Sequence, residues 1–339
     1  FMASPSVTNV SNSNASGAND AVVWVLDQKN PNVTLQINNA ALTNVTQNID
    51  LNVSPNQTGG ITKITSSNAV TFSGALTLRN VLNNVSEITE LQIESNTAPD
   101  VGTGMVFSGV ISEAKTGGFE DLLYIGKSGA GVATFTGSNT YYGDTAVYEG
   151  TLLVNNTAGS GTGYGNVVVF DGATLGGTGT IAPGSDTGVS NGLWVQSGGT
   201  LIVGAVGSTS ANQLHVTLDS TGSIAPEFDR GIGAVLAGDQ AFVMLDAGSI
   251  LKLNLFTNTI NTPTSEADRI VFSDIGFSVS EITIAGATLN VGIGAGSSLV
   301  STSFNVGDSW QLIDWGGLTP TGKFANLTGN TSKIGRAHV

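Results

Sequence analysis

Few residues in this chain could do chemistry at neutral pH. It holds two histidines, His215 and His338, and no cysteine. Thiol nucleophiles, thiolate metal sites and disulfides are therefore excluded. His215 stands in Gln213-Leu-His-Val-Thr-Leu218. In a strand, Leu214 and Val216 point one way, and His215 points with Thr217 the other way, toward solvent. A general base needs a nucleophile and an orienting acid beside it, and neither is spelled nearby. Cleavage of a glycosidic bond needs paired acids, or acids with a metal or a basic partner. Three sets qualify: Asp144 with Glu149, flanking an expected strand at 145–148; Glu227, Asp229 and Arg230; and Glu266, Asp268 and Arg269. Ion pairs in loops or caps explain all three as well. Glu227–Arg230 is the best enzyme candidate among them.

Other signals are weaker. Asp186 lies in an expected turn between Pro183 and Gly188, and no Gly-Gly-x-Gly-x-Asp calcium repeat occurs. Gly176-Gly-Thr-Gly179 superficially matches a phosphate loop, but no Lys-Ser/Thr follows and no helix begins. Tyr141 and Tyr142 share a turn, while Trp24, Trp194, Trp310 and Trp315 are scattered. An outward aromatic could stack a sugar ring. Inward or cap packing is the plainer reading, above all for Trp310 and Trp315. The sequons at Asn84-Val85-Ser86 and Asn326-Leu327-Thr328 read as Asn- and Thr-rich strands and turns.

The elements that would carry these residues are strands. Apolar residues alternate in Val33-Leu35-Ile37, Ile49-Leu51-Val53, Val70-Phe72 and Leu76-Leu78, and helical spacing is almost absent. Glycine numbers 46 of 339 residues, and charged residues make up 11%. Polarity therefore comes from Ser, Thr and Asn, the residues of turns and half-exposed strands. The net charge of −14 speaks against nucleic acid and against an anionic membrane surface. It reads as solubility, with calcium binding the sharper alternative. No run of 18 apolar residues exists, so no transmembrane helix is expected. The opening Phe1-Met-Ala-Ser-Pro5 has no charged or apolar leader region, so either a signal peptide is gone or the chain is an internal fragment.

A phrase recurs in the second half: a glycine, one or two small residues, then Leu or Ile. It appears at Gly150, Gly172, Gly198, Gly222, Gly248 and Gly286, with steps of 22, 26, 24, 26 and 38 residues. Steps of this size mark stacked repeats. A glycine at each corner supplies the left-handed backbone of a sharp turn. The next strand then pairs in parallel with its equivalent about 4.8 Å away. Long helical crossovers are missing, which removes the helix-covered alternative. The sequence thus predicts an all-β, right-handed parallel β-helix (β-solenoid) of ~10–13 coils at ~25 residues each.

The segment from Gly129 to Asn155 resembles the autotransporter-associated β-strand repeat. Gly137, Asn139, Tyr141, Gly143, Thr145, Val147, Gly150 and Leu152 carry the match, with Ala133 and Phe135 where leucine is usual. Agreement runs from Val106 to Ile181. The stretch 265–325 is similar to a segment that often follows such repeats, through Ala267-Asp-Arg-Ile-Val271, Val306-Gly-Asp-Ser-Trp310 and Gly322-Lys-Phe324. The resemblance implies a secreted solenoid passenger displayed by a bacterium, extracellular or on the cell surface.

The expected layout is a solenoid over 1–264, with the repeat clearest at 106–181. A more compact terminal β segment or cap over 265–332 follows, and then a non-native tail over 333–339. That tail, Lys333 to Val339, breaks the surrounding composition, and its last six residues match a frame of a common sequencing adapter. The expected function is a non-catalytic structural or adhesive stalk without cofactors, contacting surface glycans or other cells. The alternatives are a carbohydrate-active β-helix enzyme (lyase or hydrolase) and a glycan-binding module. What separates them is where Glu227, Asp229, Arg230, Tyr141 and Tyr142 lie: one groove, or scattered turns.

Overall fold

A computed structural model describes residues 7–8, 24–27, 34–37, 40, 43–46, 48–53, 61–80, 89–96, 104–114, 123–186, 192–205, 208–224, 241–257, 267–274, 281–295, 297, 299 and 310–329. Among them there is no α-helix. Short strands fall into two ten-stranded sheets, one four-stranded sheet and one five-stranded sheet. The strands pair in parallel in every sheet. Successive strands of one sheet are separated in sequence by strands of the others, so the chain passes through the sheets in rotation. The architecture is consistent with a β-helix or solenoid, and each passage forms one rung.

The first sheet runs from Val7–Thr8 through Leu123–Ser128, Thr145–Val147, Val167–Val169 and Gly192–Val195 to Glu281–Thr283. The second runs from Asn44–Val45 through Val132–Phe135, Thr151–Val154 and Thr174–Gly177 to Asn326–Gly329. The third, Trp24–Asp27 to Ile111–Ala114, accompanies the early rungs. The fourth, from Thr180–Ile181 through Gln213–Ile224 to Ile313–Asp314, accompanies the late ones. Strands after residue 265 continue the same sheets in register: Arg269–Asp274 on Gln213–Ile224, and Thr288–Ile293 on Ile250–Leu255.

Period-two patterning builds the core. In the second sheet Met105, Ala133, Leu152, Leu175, Leu201, Leu251 and Leu289 occupy one inward column. All of them are buried. Each leucine contributes about 1.5–3 kcal/mol through the apolar surface it removes from water. The adjacent column stacks Phe72 on Phe107 at 4.7 Å, and Phe135 meets Phe107 edge-on at 5.7 Å. Strands such as Thr34–Ile37 and Ile250–Leu255 alternate, with one side packed and the other wetter, whereas Val132–Phe135, Thr145–Val147 and Val167–Val169 are buried on both faces.

The glycines of the repeated phrase differ in backbone conformation. Gly150, Gly172, Gly198, Gly248 and Gly286 take positive φ. Gly143, at the bend before Thr145–Val147, does not. Gly222 lies within strand Gln213–Ile224 of the fourth sheet. The strand after Gly198 pairs directly with the strand after Gly248, Leu201 against Leu251, so the two steps around Gly222 are one rung of 50 residues. Asp186 ends strand Gly184–Asp186 instead of sitting in a turn, and its side chain lies outside the described residues. The tail 333–339 also lies outside them.

Candidate functional site

The repeat residues turn inward. Asn139 is buried; its Oδ1 accepts from the Ile111 amide at 2.9 Å and its Nδ2 donates to the Gly161 carbonyl at 2.6 Å. One side chain thereby links three rungs. Thr145 takes an inward position between Ile125 and Val167. Its hydroxyl donates to the Thr162 carbonyl at 3.0 Å, so the Tyr141 hydroxyl is the donor in their 2.6 Å contact. Burial pushes the Tyr141 phenol far above its ordinary range. Tyr141 is therefore an interior strut. Tyr142, half-buried, packs on Tyr164 at 5.5 Å.

Among the described residues the candidate acids are used singly. Asp144 is fully buried and accepts from the Asn166 amide at 2.7 Å and from Asn166 Nδ2 at 3.2 Å. Asn166 Oδ1 then accepts from the Gly192 amide at 2.9 Å, which extends the ladder across three rungs. Glu149 is exposed at the following turn. Asp268 is buried, with Oδ1 accepting from the Asn212 amide and Oδ2 from the amide and Nδ2 of Asn254. Burial raises its pKa, and these donors oppose the rise. Its neighbour Arg269 pairs instead with Asp314. Glu266, Glu227, Asp229 and Arg230 lie outside the described residues. His215 is half-buried beside Thr180 and Val271, while Leu214 and Val216 are buried. Among the described residues no group of three or more His, Cys, Asp or Glu is placed to hold a metal ion, and no helix is long and apolar enough to cross a membrane.

Gly176-Gly-Thr-Gly179 serves close stacking. A Cβ on Gly177 would lie 2.0 Å from the Val154 carbonyl oxygen, and one on Gly179 would lie 2.6 Å from the Asn156 amide nitrogen. The tryptophans divide. Trp315 stacks on Phe272 at 5.3 Å, and Trp310 donates to the Thr257 carbonyl at 2.9 Å; both pack against the core. Trp194 faces outward, its Nε1 donating to Asp246 Oδ2 at 2.9 Å. The side chain of Trp24 lies outside the described residues.

Two features escape the sequence reading. Lys127 occupies an inward position between Ile93 and Val147. Its ammonium donates to the carbonyls of Ser128, Gly129 and Glu149 at 2.8, 2.7 and 2.9 Å. Burial lowers its pKa to about 8, and the Glu149 and Glu94 carboxylates oppose that shift. The alternation through Leu123 and Ile125 is the signal that would have placed it inside. The second feature is outward. Tyr148 packs on Phe170 at 5.0 Å and lies beside Glu90 over Gly126. Burial, with the Glu90 carboxylate adding to it, raises the Tyr148 phenol to about 12. Burial likewise raises the Glu90 carboxyl. Gly126 makes room for both: a Cβ there would lie 1.9 Å from Glu90 Oε1 and 2.8 Å from Tyr148 Cε2. A phenol that holds its proton this firmly donates hydrogen bonds and does not act as a base at neutral pH. No protein-family model matches the chain, and no curated protein matches it.

Proposed function

We propose that the chain is a closed, right-handed parallel β-solenoid serving as a non-catalytic structural or adhesive stalk of a bacterial surface or secreted protein. One observation carries this reading. The repeat residues Asn139 and Thr145, and Asp144 beside them, bond one rung to the next, and Tyr141 braces Thr145 within its own rung. In a solenoid, stability is a sum of such rung-to-rung interfaces, so a repeat devoted to them makes length its product. Right-handed closure follows the strong preference of parallel crossovers. The resemblance to the autotransporter-associated repeat supports the placement outside a bacterial cell, and the lack of cysteine suits export of an unfolded chain.

The test joins shape and activity. Small-angle scattering of purified residues 1–332 should give a rod, since the nine spacings between ten strands of one sheet, at ~4.8 Å each, span about 43 Å. A broad polysaccharide panel, with and without calcium, should give no cleavage product. A globular profile would refute the stalk. Turnover abolished by Glu227→Gln or Asp229→Asn would replace it with the carbohydrate-active enzyme.

A further inference from the structure

The turns that carry the repeated phrase are stacked on one another. Each glycine amide donates to a carbonyl of the next rung: Gly172 to Gly198 at 3.2 Å, then Gly198 to Gly248, Gly248 to Gly286 and Gly286 to Lys323, all at 3.1 Å. The residue before each glycine leans over the glycine of the next rung. Ser197 Oγ lies 2.6 Å from where a Cβ on Gly248 would stand, and the Ala247 Cβ lies 2.8 Å from one on Gly286. At the first of these turns the leaning residue is Asp171. Its Oδ1 lies 1.8 Å and its Cγ 2.8 Å from the place a Cβ on Gly198 would take. The bare glycine at 198 thus makes room for the carboxyl.

Asp171 is also the one aspartate of the chain that precedes a glycine. Both residues are exposed, and a Cβ on Gly172 would meet nothing within 4 Å. The Ala173 amide donates to the Phe170 carbonyl at 3.0 Å and closes the turn, in which Gly172 takes φ of +74°. The Asp171 carboxyl and the Gly172 amide therefore face the same residue, Gly198, and no side chain on Gly172 crowds the nitrogen. We propose that Asp171 is a site of spontaneous isoaspartate formation. The Gly172 nitrogen attacks Asp171 Cγ. A C–N bond forms, a carboxyl C–O bond breaks, and the nitrogen's proton leaves with that oxygen as water. Water then opens the succinimide ring. Opening at the main-chain carbonyl leaves the chain linked through the side chain of residue 171, with one more carbon in the backbone. No oxidant, reductant or cofactor is consumed. The longer corner carries the Gly172 amide away from Gly198, at the first bond of the ladder. The step Asn191-Gly192 can cyclise in the same way with loss of ammonia, but the Gly192 amide is buried and donates to Asn166 Oδ1 at 2.9 Å.

This inference does not depend on the stalk reading, which the rod measurement tests separately. The experiment holds the full chain for weeks at neutral pH and physiological temperature, beside a sample unfolded in urea. Isoaspartate is detected by methyl transfer from S-adenosylmethionine, catalysed by an isoaspartyl methyltransferase, and is located by peptide mapping. Circular dichroism before and after incubation shows that the folded sample stays folded. Accumulation at Asp171 above that at every other aspartate is expected in the folded chain. Asp171→Glu should abolish it, because a larger ring would have to close. Gly172→Ala, whose Cβ enters open space, should lower it several-fold by crowding the attacking nitrogen. No isoaspartate at Asp171 in the folded chain overturns the inference. If the unfolded sample isomerises there and the folded one does not, the ladder shields the corner, and the inference fails on that account. Yields at Asp171 no higher than at other aspartates, or isoaspartate confined to position 191, overturn it as well.

Discussion

The Lys127 ammonium lies inside the stack and donates to the carbonyl oxygen of Glu149, one rung on, at 2.9 Å. Its column otherwise holds Leu35, Ile64, Ile93, Val147, Val169, Val195 and Leu245. A cation is tolerated there because its head reaches the corner, where the Ser128 and Gly129 carbonyls complete three acceptors for three N–H groups. The stem fills an aliphatic position and the head ties two rungs together.

Replacing Lys127 with Met should keep the volume and remove the tie. The expected loss is about 2–3 kcal/mol, because three carbonyls at a packed corner lose their donors. Titration gives a sharper signature. Burial lowers the folded-state pKa from 10.5 to about 8. Below pH 8 both states hold the proton. Between 8 and 10.5 the unfolded chain binds a proton that the folded chain has released, so stability rises with pH across that window. The rise is at most about 3 kcal/mol, and the three carbonyls, which favour the cation, make it smaller. Urea unfolding at pH 7 and pH 10 checks this: the native chain should gain more than Lys127→Met does. Equal pH responses would mean that Lys127 is not buried as a cation.

The Asp144–Asn166 ladder should respond asymmetrically. Asp144→Asn keeps an acceptor for the Asn166 amide, which sits at 2.7 Å, and should change stability little. Asp144→Ala leaves that buried amide without its acceptor and should cost about 1–3 kcal/mol. Asn166→Asp is expected to be worst, since it sets a second carboxylate against Asp144 in a buried site and removes the Nδ2 donor. Amide hydrogen exchange at Asn166 and Gly192 reads the ladder locally. If Asp144→Ala and Asn166→Asp left both amides as protected as in the native chain, the ladder would carry no weight.

What could be read from the sequence follows from periodicity. Alternation of period two marks inward and outward residues without reference to a partner, so Leu35 with Ile37 and Leu76 with Leu78 are legible as core positions, whereas the runs Leu152-Leu-Val154 and Leu201-Ile-Val203 carry no such signal. Spacing was less secure. Gly222 sits in the same Gly-Ser-Ile spelling as Gly248, yet it continues a strand of another sheet, because a glycine permits a corner without requiring one. The candidate acids illustrate a second limit. Asp144 and Asp268 were visible as charges, but their burial against Asn166, Asn212 and Asn254 depends on rungs 14 to 56 residues away. Local spelling carries no such information. The contact of Tyr148 with Phe170 is hidden for the same reason: the rings lie on different rungs, and only the register brings them together.

Gly150 and Gly172 separate two demands that the repeat phrase expresses in the same way. Both take left-handed backbone, with φ of +66° and +74°. A Cβ on Gly172 would meet nothing within 4 Å, whereas one on Gly150 would lie 2.4 Å from the Gly129 carbonyl oxygen and 2.5 Å from that of Gly131. Asparagine adopts left-handed backbone more readily than other L-residues do. Gly172→Asn should therefore cost under about 1 kcal/mol. Gly150→Asn must also push two backbone carbonyls apart and widen the rung spacing, at about 3 kcal/mol or more. Comparing the two melting midpoints decides the point. A large gap locates the demand in rung stacking, whereas equal losses would assign it to backbone conformation alone.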